Sequence, residues 1–291
     1  MTKFKFFFLW TACLLNAATA LAQTWEIGYP NKNDVTATLN GETLTITGTG
    51  EMRNYDYESI EWDYDSYMNK IKTIVIEEGV TSIGNYAFYY LQALTSISIP
   101  NSVTRIGYSA LRENCNLTEI TIPEGVKSIE SDLPERVKTV NFNAIECNSA
   151  WFPGDVTTVN IGDKVTIIPY GAFAYCNKLT SINMPASVTR IEKKAFEGCS
   201  FTEITIPQNV TYIGDEAFYR CGNLTEITIP ENVTSIGLNA FDDCDALKTM
   251  NFNAINCTFN GGTSSYSLYI TTVNIGDKVT AIPSRFIPGF V

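Results

Sequence analysis

The sequence predicts a β-rich solenoid, because one phrase of about 23 residues returns along most of the chain. The segment Leu94-Thr-Ser-Ile-Ser-Ile-Pro100 returns as Leu117-Thr-Glu-Ile-Thr-Ile-Pro123 and as Leu224-Thr-Glu-Ile-Thr-Ile-Pro230. Ten units follow one another at spacings of 23, 23, 20, 19, 23, 22, 23, 23 and 23 residues. They begin at Ile71, Leu94, Leu117, Val137, Val156, Leu179, Phe201, Leu224, Leu247 and Ile270.

Each unit opens with a predicted β-strand that has one buried side. The first, fourth and sixth residues of every unit are apolar, as in Leu94, Ile97 and Ile99, and the residues between them are mostly polar. Stacked units would bury these apolar sides against one another, and the period lies in the range of leucine-rich repeats. The prediction is therefore a leucine-rich-repeat solenoid with a parallel sheet of short strands along one side.

The second half of each unit carries two further apolar features. A pair such as Val103 and Ile106 follows the strand, and an Ala-Phe dipeptide comes next in most units. We expect this dipeptide to form a single helical or 3₁₀ turn that plugs the core. It recurs at Ala87-Phe88, Ala172-Phe173, Ala195-Phe196, Ala217-Phe218 and Ala240-Phe241.

The full phrase is nearly complete from Leu224 to Cys244. It reads Leu-Thr-x-Ile-x-Ile-Pro-x-x-Val-Thr-x-Ile-Gly-x-x-Ala-Phe-x-x-Cys. This phrase resembles the BspA-like, Treponema-type leucine-rich repeat family, and the resemblance covers residues 71–291. It implies a secreted or surface protein that adheres to host proteins or other cells. The family shares no catalytic residues, so the resemblance implies no enzyme activity.

A block of about five units is predicted to be an internal duplication. The segment from Val137 to Cys147 matches the segment from Leu247 to Cys257. Each is followed by Thr-Thr-Val-Asn-Ile-Gly-Asp-Lys-Val, at residues 157–165 and 271–279. The chain stops inside its tenth unit, which is expected to be incomplete.

Residues 1–22 are predicted to be a secretory signal peptide. They combine a basic start, a short apolar run and the small-residue cleavage signal Ala20-Leu21-Ala22. A lipoprotein signal around Cys13 is the alternative. No later segment approaches the run of roughly 18 apolar residues that a membrane helix needs, so we expect an exported protein that does not insert into the membrane after the signal is removed.

Residues 23–70 are predicted to form a cap in front of the repeats. Val35–Leu39 and Thr43–Thr47 alternate in polarity on either side of Asn40-Gly41, which is a strong hairpin signal. This hairpin is expected to cover the open edge of the first coil.

The cap segment also holds a cluster of acidic and aromatic residues between positions 51 and 67. A loop whose rings pack on the first coil is one interpretation of it. Trp62 and Tyr64 could instead stack on a glycan, and Glu61 and Asp63 could act as a carboxylate pair in a hydrolase. A Ca²⁺ site is a further alternative, although the required EF-hand pattern is missing.

Composition excludes several classes of function. The chain has no histidine, so it lacks the usual general base and the commonest metal ligand. Its net charge of −11 disfavours nucleic acid and anionic membrane surfaces as partners. We expect no cofactor and no catalytic residues.

Cysteines recur once per unit at Cys176, Cys199, Cys221 and Cys244. This spacing favours a buried ladder in which each thiol acts as a small hydrophobic group. Disulfides remain the alternative for an exported protein.

The outward positions of the predicted strands form the candidate binding surface, with an extracellular or host-surface protein as the expected partner and a glycan as the alternative. These positions are small, polar and nearly flat, so a merely solvated surface is also consistent with them. The candidate residues on the strands are Glu119, Thr121, Asn141, Asn160, Asn183, Glu203, Thr205, Glu226 and Thr228, and those in the cap are Trp62 and Tyr64.

Overall fold

A computed structural model describes residues 22–56, 64–130, 133–259 and 270–283 of the chain. All but the last residue of the predicted signal peptide therefore lies outside the described residues. So do Glu61, Trp62 and Asp63, and the side chain of Tyr64.

The described elements are almost all short strands. A 3₁₀ turn spans Lys32–Asp34 and a four-residue helix, α1, spans Tyr64–Tyr67. The cap strands are β1 (Gln23–Glu26), β2 (Gly28–Tyr29), β3 (Val35–Asn40), β4 (Thr43–Gly48) and β5 (Gly50–Met52). The strands of the first coils are β6 (Thr73–Ile76), β7 (Val80–Ile83), β8 (Ser96–Ser98), β9 (Arg105–Ile106), β10 (Glu119–Ile122), β11 (Ser128–Ile129), β12 (Thr139–Phe142) and β13 (Thr158–Ile161). Those of the later coils are β14 (Ile167–Ile168), β15 (Arg190–Ile191), β16 (Tyr212–Ile213), β17 (Glu226–Ile229), β18 (Ser235–Ile236), β19 (Thr249–Phe252), β20 (Thr258–Phe259) and β21 (Thr272–Ile275).

The predicted solenoid is confirmed, and each coil has three sides. The opening strands stack in parallel as β4-β6-β8, β10-β12-β13 and β17-β19-β21, which we call the strand face. The sequence did not reveal that the Val-x-x-Ile pair forms a second parallel ladder. That ladder runs through β5-β7-β9-β11 and β14-β15-β16-β18-β20 and is called the second face.

The third side, called the turn face, contains the Ala-Phe dipeptides. The expected single turn is present there as an i→i+3 hydrogen-bonded turn, in which Tyr89 donates its N–H to the carbonyl of Tyr86 and Ala174 donates to Gly171, both at 3.1 Å, and it does not extend into a helix. Phe88, Phe173 and Phe218 donate their N–H groups to Ala110, Ala195 and Ala240 of the next coil, at 2.8–2.9 Å between nitrogen and oxygen. A positive φ is found at the residue just before each alanine and again three residues after the alanine, as at Tyr86 and Tyr90 around Ala87. A continuous helix cannot pass through these positions. The non-glycine residues with positive φ are Tyr86, Tyr90, Ser109, Glu113, Tyr175, Lys194, Glu216, Arg220, Asn239 and Asp243.

A column of phenylalanine rings runs through the later coils. Phe152, Phe173, Phe196, Phe218 and Phe241 stack in sequence, with ring centroids 5.2–5.6 Å apart. Each ring is almost fully shielded from solvent. Because stacked aromatic pairs contribute about 0.5–1.5 kcal/mol beyond their buried area, this column holds successive coils in register.

The cysteine ladder lies beside the phenylalanine column. The thiols of Cys199, Cys221 and Cys244 donate to the backbone carbonyls of the preceding coil at 3.1–3.2 Å, which satisfies their only polar hydrogen. All seven cysteines in the described part of the chain are free thiols, as the buried-ladder interpretation predicts.

The N-terminal cap extends both ladders of the solenoid. Strands β3 and β4 form the predicted antiparallel hairpin, and β4 pairs in parallel with β6 of the first coil. Strand β1 adds to β3 on the outside. A second antiparallel pair, β2 and β5, does the same for the second face through β7, and no turn signal in the sequence had indicated it.

We expect Phe196→Ala to lower the free energy of unfolding by about 3–5 kcal/mol, because it removes a buried ring from the middle of the column. Tyr29→Ala is the matched control, since this ring is 61% exposed and its loss should change stability by about 0.5 kcal/mol or less. Urea unfolding measures both, and equal losses in the two variants would contradict the role of the column.

We also expect stability to fall at alkaline pH. Burial raises the pKa of Cys147 to about 11 and that of Cys176 and Cys244 to about 12. The folded protein therefore holds these protons more tightly than the unfolded chain, whose thiols titrate near pH ~8.5. Stability is fully present below that pH and is lost as pH rises toward 12, by about 1.4 kcal/mol per pH unit for each thiol. Urea unfolding between pH 8 and 10 measures how fast the free energy of unfolding falls with pH. Cys244→Ala should reduce that slope by the contribution of one thiol.

Candidate functional site

The strand face positions most of the predicted binding residues. Glu119 and Thr121 lie on β10, Asn141 lies on β12 and Asn160 lies on β13. Their neighbours Ile120 and Val140 point inward and are buried, so the alternation puts the polar side chains on the outer surface. Glu226 and Thr228 occupy the same places on β17 in the second half of the solenoid.

Hydrogen bonds across the coils join these side chains into a ladder. The amide of Asn141 donates to Glu119 Oε1 at 2.8 Å and to Thr121 Oγ1 at 3.2 Å, and the amide of Asn160 donates to Asn141 Oδ1 at 2.8 Å. These bonds fix the rotamers of otherwise exposed polar groups. The surface is consequently ordered before any partner arrives.

The predicted duplication reproduces the same ladder in the later coils. The amide of Asn251 donates to Glu226 Oε1 at 2.5 Å and to Thr228 Oγ1 at 3.1 Å. Asn274 then donates to Asn251 Oδ1 at 2.7 Å. The strand face therefore presents two copies of one polar surface.

Between the two ladders the strand face is interrupted, which corrects the prediction of a strand in every unit. Asn183 makes only an isolated bridge to Asn160, and residues 203–206, which include Glu203 and Thr205, belong to no strand. The unit that begins at Phe201 starts 22 residues after Leu179, because one residue is missing between Cys199 and Phe201. The second face and the turn face stay bonded at these coils, so the interruption of strand pairing is confined to one side.

At this interruption the strand face has a groove of about 480 Å³. Half-buried Ile182 and Ile204 lie at its floor, where they pack against the core, and the carboxylates of Glu203 and Glu226 line it. Ser181, Thr205, Thr225 and Thr228 complete the lining. The two isoleucines were not among the residues predicted as functional candidates, although the 22-residue spacing before Phe201 was the signal that could have drawn attention to this unit.

The described part of the acidic and aromatic cap segment serves packing. Tyr55 is buried, and burial raises the pKa of its hydroxyl. Tyr67 packs edge-to-face on Trp25, with ring centroids 5.6 Å apart. The candidate contacts of Trp62 and Tyr64, and the carboxylates of Glu61 and Asp63, concern side chains outside the described residues.

Within residues 22–56, 64–130, 133–259 and 270–283, no three His, Cys, Asp or Glu side chains are grouped as ligands for a metal ion. The same ranges contain no helix with the length and apolar character to cross a membrane.

Comparison with known families decides the classification. A model of the BspA type leucine rich repeat region matches residues 59–149 and 166–287, with 6 copies. The chain belongs to this family. The resemblance seen in the sequence is thereby confirmed, and BspA-type repeats indicate a role in protein–protein binding.

Several solved structures are similar to this BspA-type chain. A leucine-rich repeat protein from Eubacterium ventriosum is 25% identical, with a TM-score of 0.40, and the match covers 87% of this chain and 78% of that one. A leucine rich cell surface protein from Faecalibacterium prausnitzii is 22% identical, with a TM-score of 0.40 and coverage of 86% and 77%. A leucine-rich repeat protein from Bacteroides ovatus is 21% identical, with a TM-score of 0.49 and coverage of 86% and 77%. Comparison with curated proteins gives no match.

We expect that restoring the 23-residue spacing will close the groove. The change inserts Asn between Ser200 and Phe201 and replaces Phe201 by Leu, which reproduces the spacing of the next unit at Leu224. Residues 203–206 should then form strand hydrogen bonds, so their amide hydrogens should exchange with solvent about tenfold or more slowly. Hydrogen-exchange mass spectrometry measures this, with Phe201→Leu alone as the control. Unchanged exchange in the insertion variant would contradict the role of the spacing.

Proposed function

We propose that this protein is exported and acts at the cell surface or outside the cell as an adhesive binding protein. In this proposal it holds another extracellular protein on its strand face and catalyses no reaction. The groove at the interruption of the strand face is the single observation that carries it. The predicted signal peptide and the BspA-type family support the location.

The groove suits an extended segment of a partner protein. The coils on either side present backbone groups of residues 181–184 and 203–206 that do not belong to a continuous sheet, and exposed strand edges are common docking sites for added strands. Ile182 and Ile204 offer an apolar floor for one side chain of such a segment. The two hydrogen-bonded ladders extend the contact surface in both directions along the solenoid.

Charge indicates which segment the groove would accept. Glu203 and Glu226 line it, and no unit has Lys or Arg at its third or fifth residue, the outward positions of the strand face. The chain as a whole carries a net charge of −11. A partner segment with an apolar residue between basic ones is therefore favoured, and long-range attraction would speed its association.

The alternatives at the cap stay predictions. A glycan site at Trp62 and Tyr64, and a hydrolase based on Glu61 and Asp63, concern side chains outside the described residues. No observation in the described part of the cap favours either of them over the strand face.

The test is binding of the secreted chain to immobilised fibronectin, fibrinogen and laminin at physiological salt. We expect saturable binding to at least one of them, and we expect Glu203→Lys combined with Glu226→Lys to weaken it at least tenfold, which corresponds to about 1.4 kcal/mol. Raising the salt concentration should also weaken binding, because exposed charges are screened. The matched control is Asp245→Lys, which removes an exposed carboxylate away from the strand face.

Two outcomes would contradict the proposal. One is an absence of saturable binding to all three proteins. The other is binding that the double substitution leaves unchanged while Asp245→Lys weakens it, since this would move the contact to another side of the solenoid. Circular dichroism of each variant distinguishes loss of binding from loss of fold.

A further inference from the structure

The turn face contains a cavity at the place where one unit lacks its Ala-Phe dipeptide. The unit from Leu117 to Arg136 has 20 residues, and Leu133 follows Ile129 where the preceding unit has Ala110 after Ile106. Among the described residues, which omit 131 and 132, backbone hydrogen bonds of the turn face join residues 86–90 to residues 108–112 and then residues 150–152 to residues 170–172. A recess of about 520 Å³ lies between these two bonded regions.

Aromatic rings and charged groups line this cavity together. Arg112 lies on the earlier coil, Leu133 and Glu135 on the short unit, and Trp151 and Asp155 on the coil that follows. Tyr175, from one coil further on, completes this set and is 48% exposed. The volume falls in the range of roughly 300–1,000 Å³ that is usual for small-molecule sites.

Two glycines make room for the aromatic rings. Gly171 has a φ of +66°, and a Cβ built on it would lie 2.7 Å from Cη2 of Trp151. Gly198 has a φ of +68°, and its Cβ would lie 2.8 Å from Cδ1 of Tyr175. Both residues occupy positive-φ positions of the turn face, where the other coils carry side chains. Each of the two aromatic rings of the cavity therefore packs against a glycine, where a larger residue would collide with it.

Polar contacts hold the lining in place. The hydroxyl of Tyr175 donates to Glu197, whose buried carboxylate also forms an ion pair with Lys194 at 3.0 Å. The carboxylate of Asp155 lies 2.5 Å from Lys178 Nζ. Trp151 packs edge-to-face on Tyr170, with ring centroids 5.4 Å apart. These contacts fix the rings before a ligand binds, so binding loses less side-chain conformational entropy.

We propose that this cavity binds a short neutral saccharide. The C–H faces of a sugar ring pack against aromatic rings, here those of Trp151 and Tyr175. Its hydroxyl groups can donate to the carboxylates of Glu135 and Asp155 and accept from the guanidinium of Arg112. Arg112 pairs with Glu113 at 3.6 Å, Lys178 pairs with Asp155, and Arg136 lies next to Glu135, so the charges around the cavity cancel and it does not select a charged ligand. The site lies on the turn face and is independent of the protein-binding groove and of the cap.

The experiment titrates the full secreted chain with maltotriose, cellotriose, xylotriose, mannotriose and chitotriose, and with tetramethylammonium as a cationic probe. Isothermal titration calorimetry and saturation-transfer NMR detect binding. We expect saturable binding of at least one trisaccharide. Trp151→Ala and Glu135→Gln should each weaken it about tenfold or more. Trp25→Phe, in the cap, is the matched control and should leave binding unchanged.

Glu135→Gln keeps the test decisive if Trp151→Ala does not fold, because Glu135 is exposed and its replacement has nearly the same shape. The proposal is overturned if no trisaccharide saturates the protein, or if only tetramethylammonium binds. Trisaccharide binding that survives Glu135→Gln overturns it as well. Each of these results leaves the strand-face proposal untouched, since that proposal is tested with Glu203 and Glu226.

Discussion

The register between neighbouring coils is the constraint on which the rest of the structure depends. A single coil of about 23 residues cannot bury its own apolar side, so each coil gains its core from the next one. Register is held on all three sides, by the parallel ladders of the strand face and the second face and by the backbone hydrogen bonds of the turn face. The phenylalanine column adds a fourth contact inside. Equivalent strand residues stack over one another even across the short units, as Glu119 does on Thr139 and Thr139 does on Thr158.

Irregular spacing gives the molecule its individual surface features. The unit that starts at Phe201 is one residue short and borders the groove on the strand face. Three missing residues in the unit that starts at Leu117 remove the Ala-Phe dipeptide and create the cavity on the turn face. In both places the other sides of the coils remain bonded, so the cost to stability is local. A regular array thus tolerates a recess without losing its continuity.

The sequence predicts the repeated parts of this fold well and its exceptions poorly. Alternation of apolar and polar residues identified the buried Ile120 and Ile122 and the outward Glu119 and Thr121, because the period of two extends over six residues. The Val103 and Ile106 pair is too short to show a period, so the second face was not foreseen. The single turn at each Ala-Phe dipeptide was foreseen, but its positive-φ flanks were not, because residues such as Lys194 and Glu216 give no sign of a positive φ in the sequence.

The candidate site also has a part that the repeat predicts and a part that it does not. Residues on regular strands, such as Asn141 and Asn160, could be placed from the repeat alone. The groove around Ile182 and Ile204 could not be placed, since it lies where strand pairing stops although the apolar pattern continues. The contacts of Trp151 with Gly171 also escape the repeat pattern, because they join an irregular coil to a regular one.

The hydrogen bonds of the turn face all run in one direction along the solenoid. Phe88, Phe173 and Phe218 each donate to the following coil, so their peptide dipoles align with one another as they do in a helix. The backbone bonds that flank the strands of the other two faces run the opposite way, since Lys138 donates to Thr118 and Thr104 donates to Thr81 of the preceding coil. The peptide dipoles of the turn face are therefore opposed by those of the other faces, and each coil joins its neighbour as a donor on one side and as an acceptor on another.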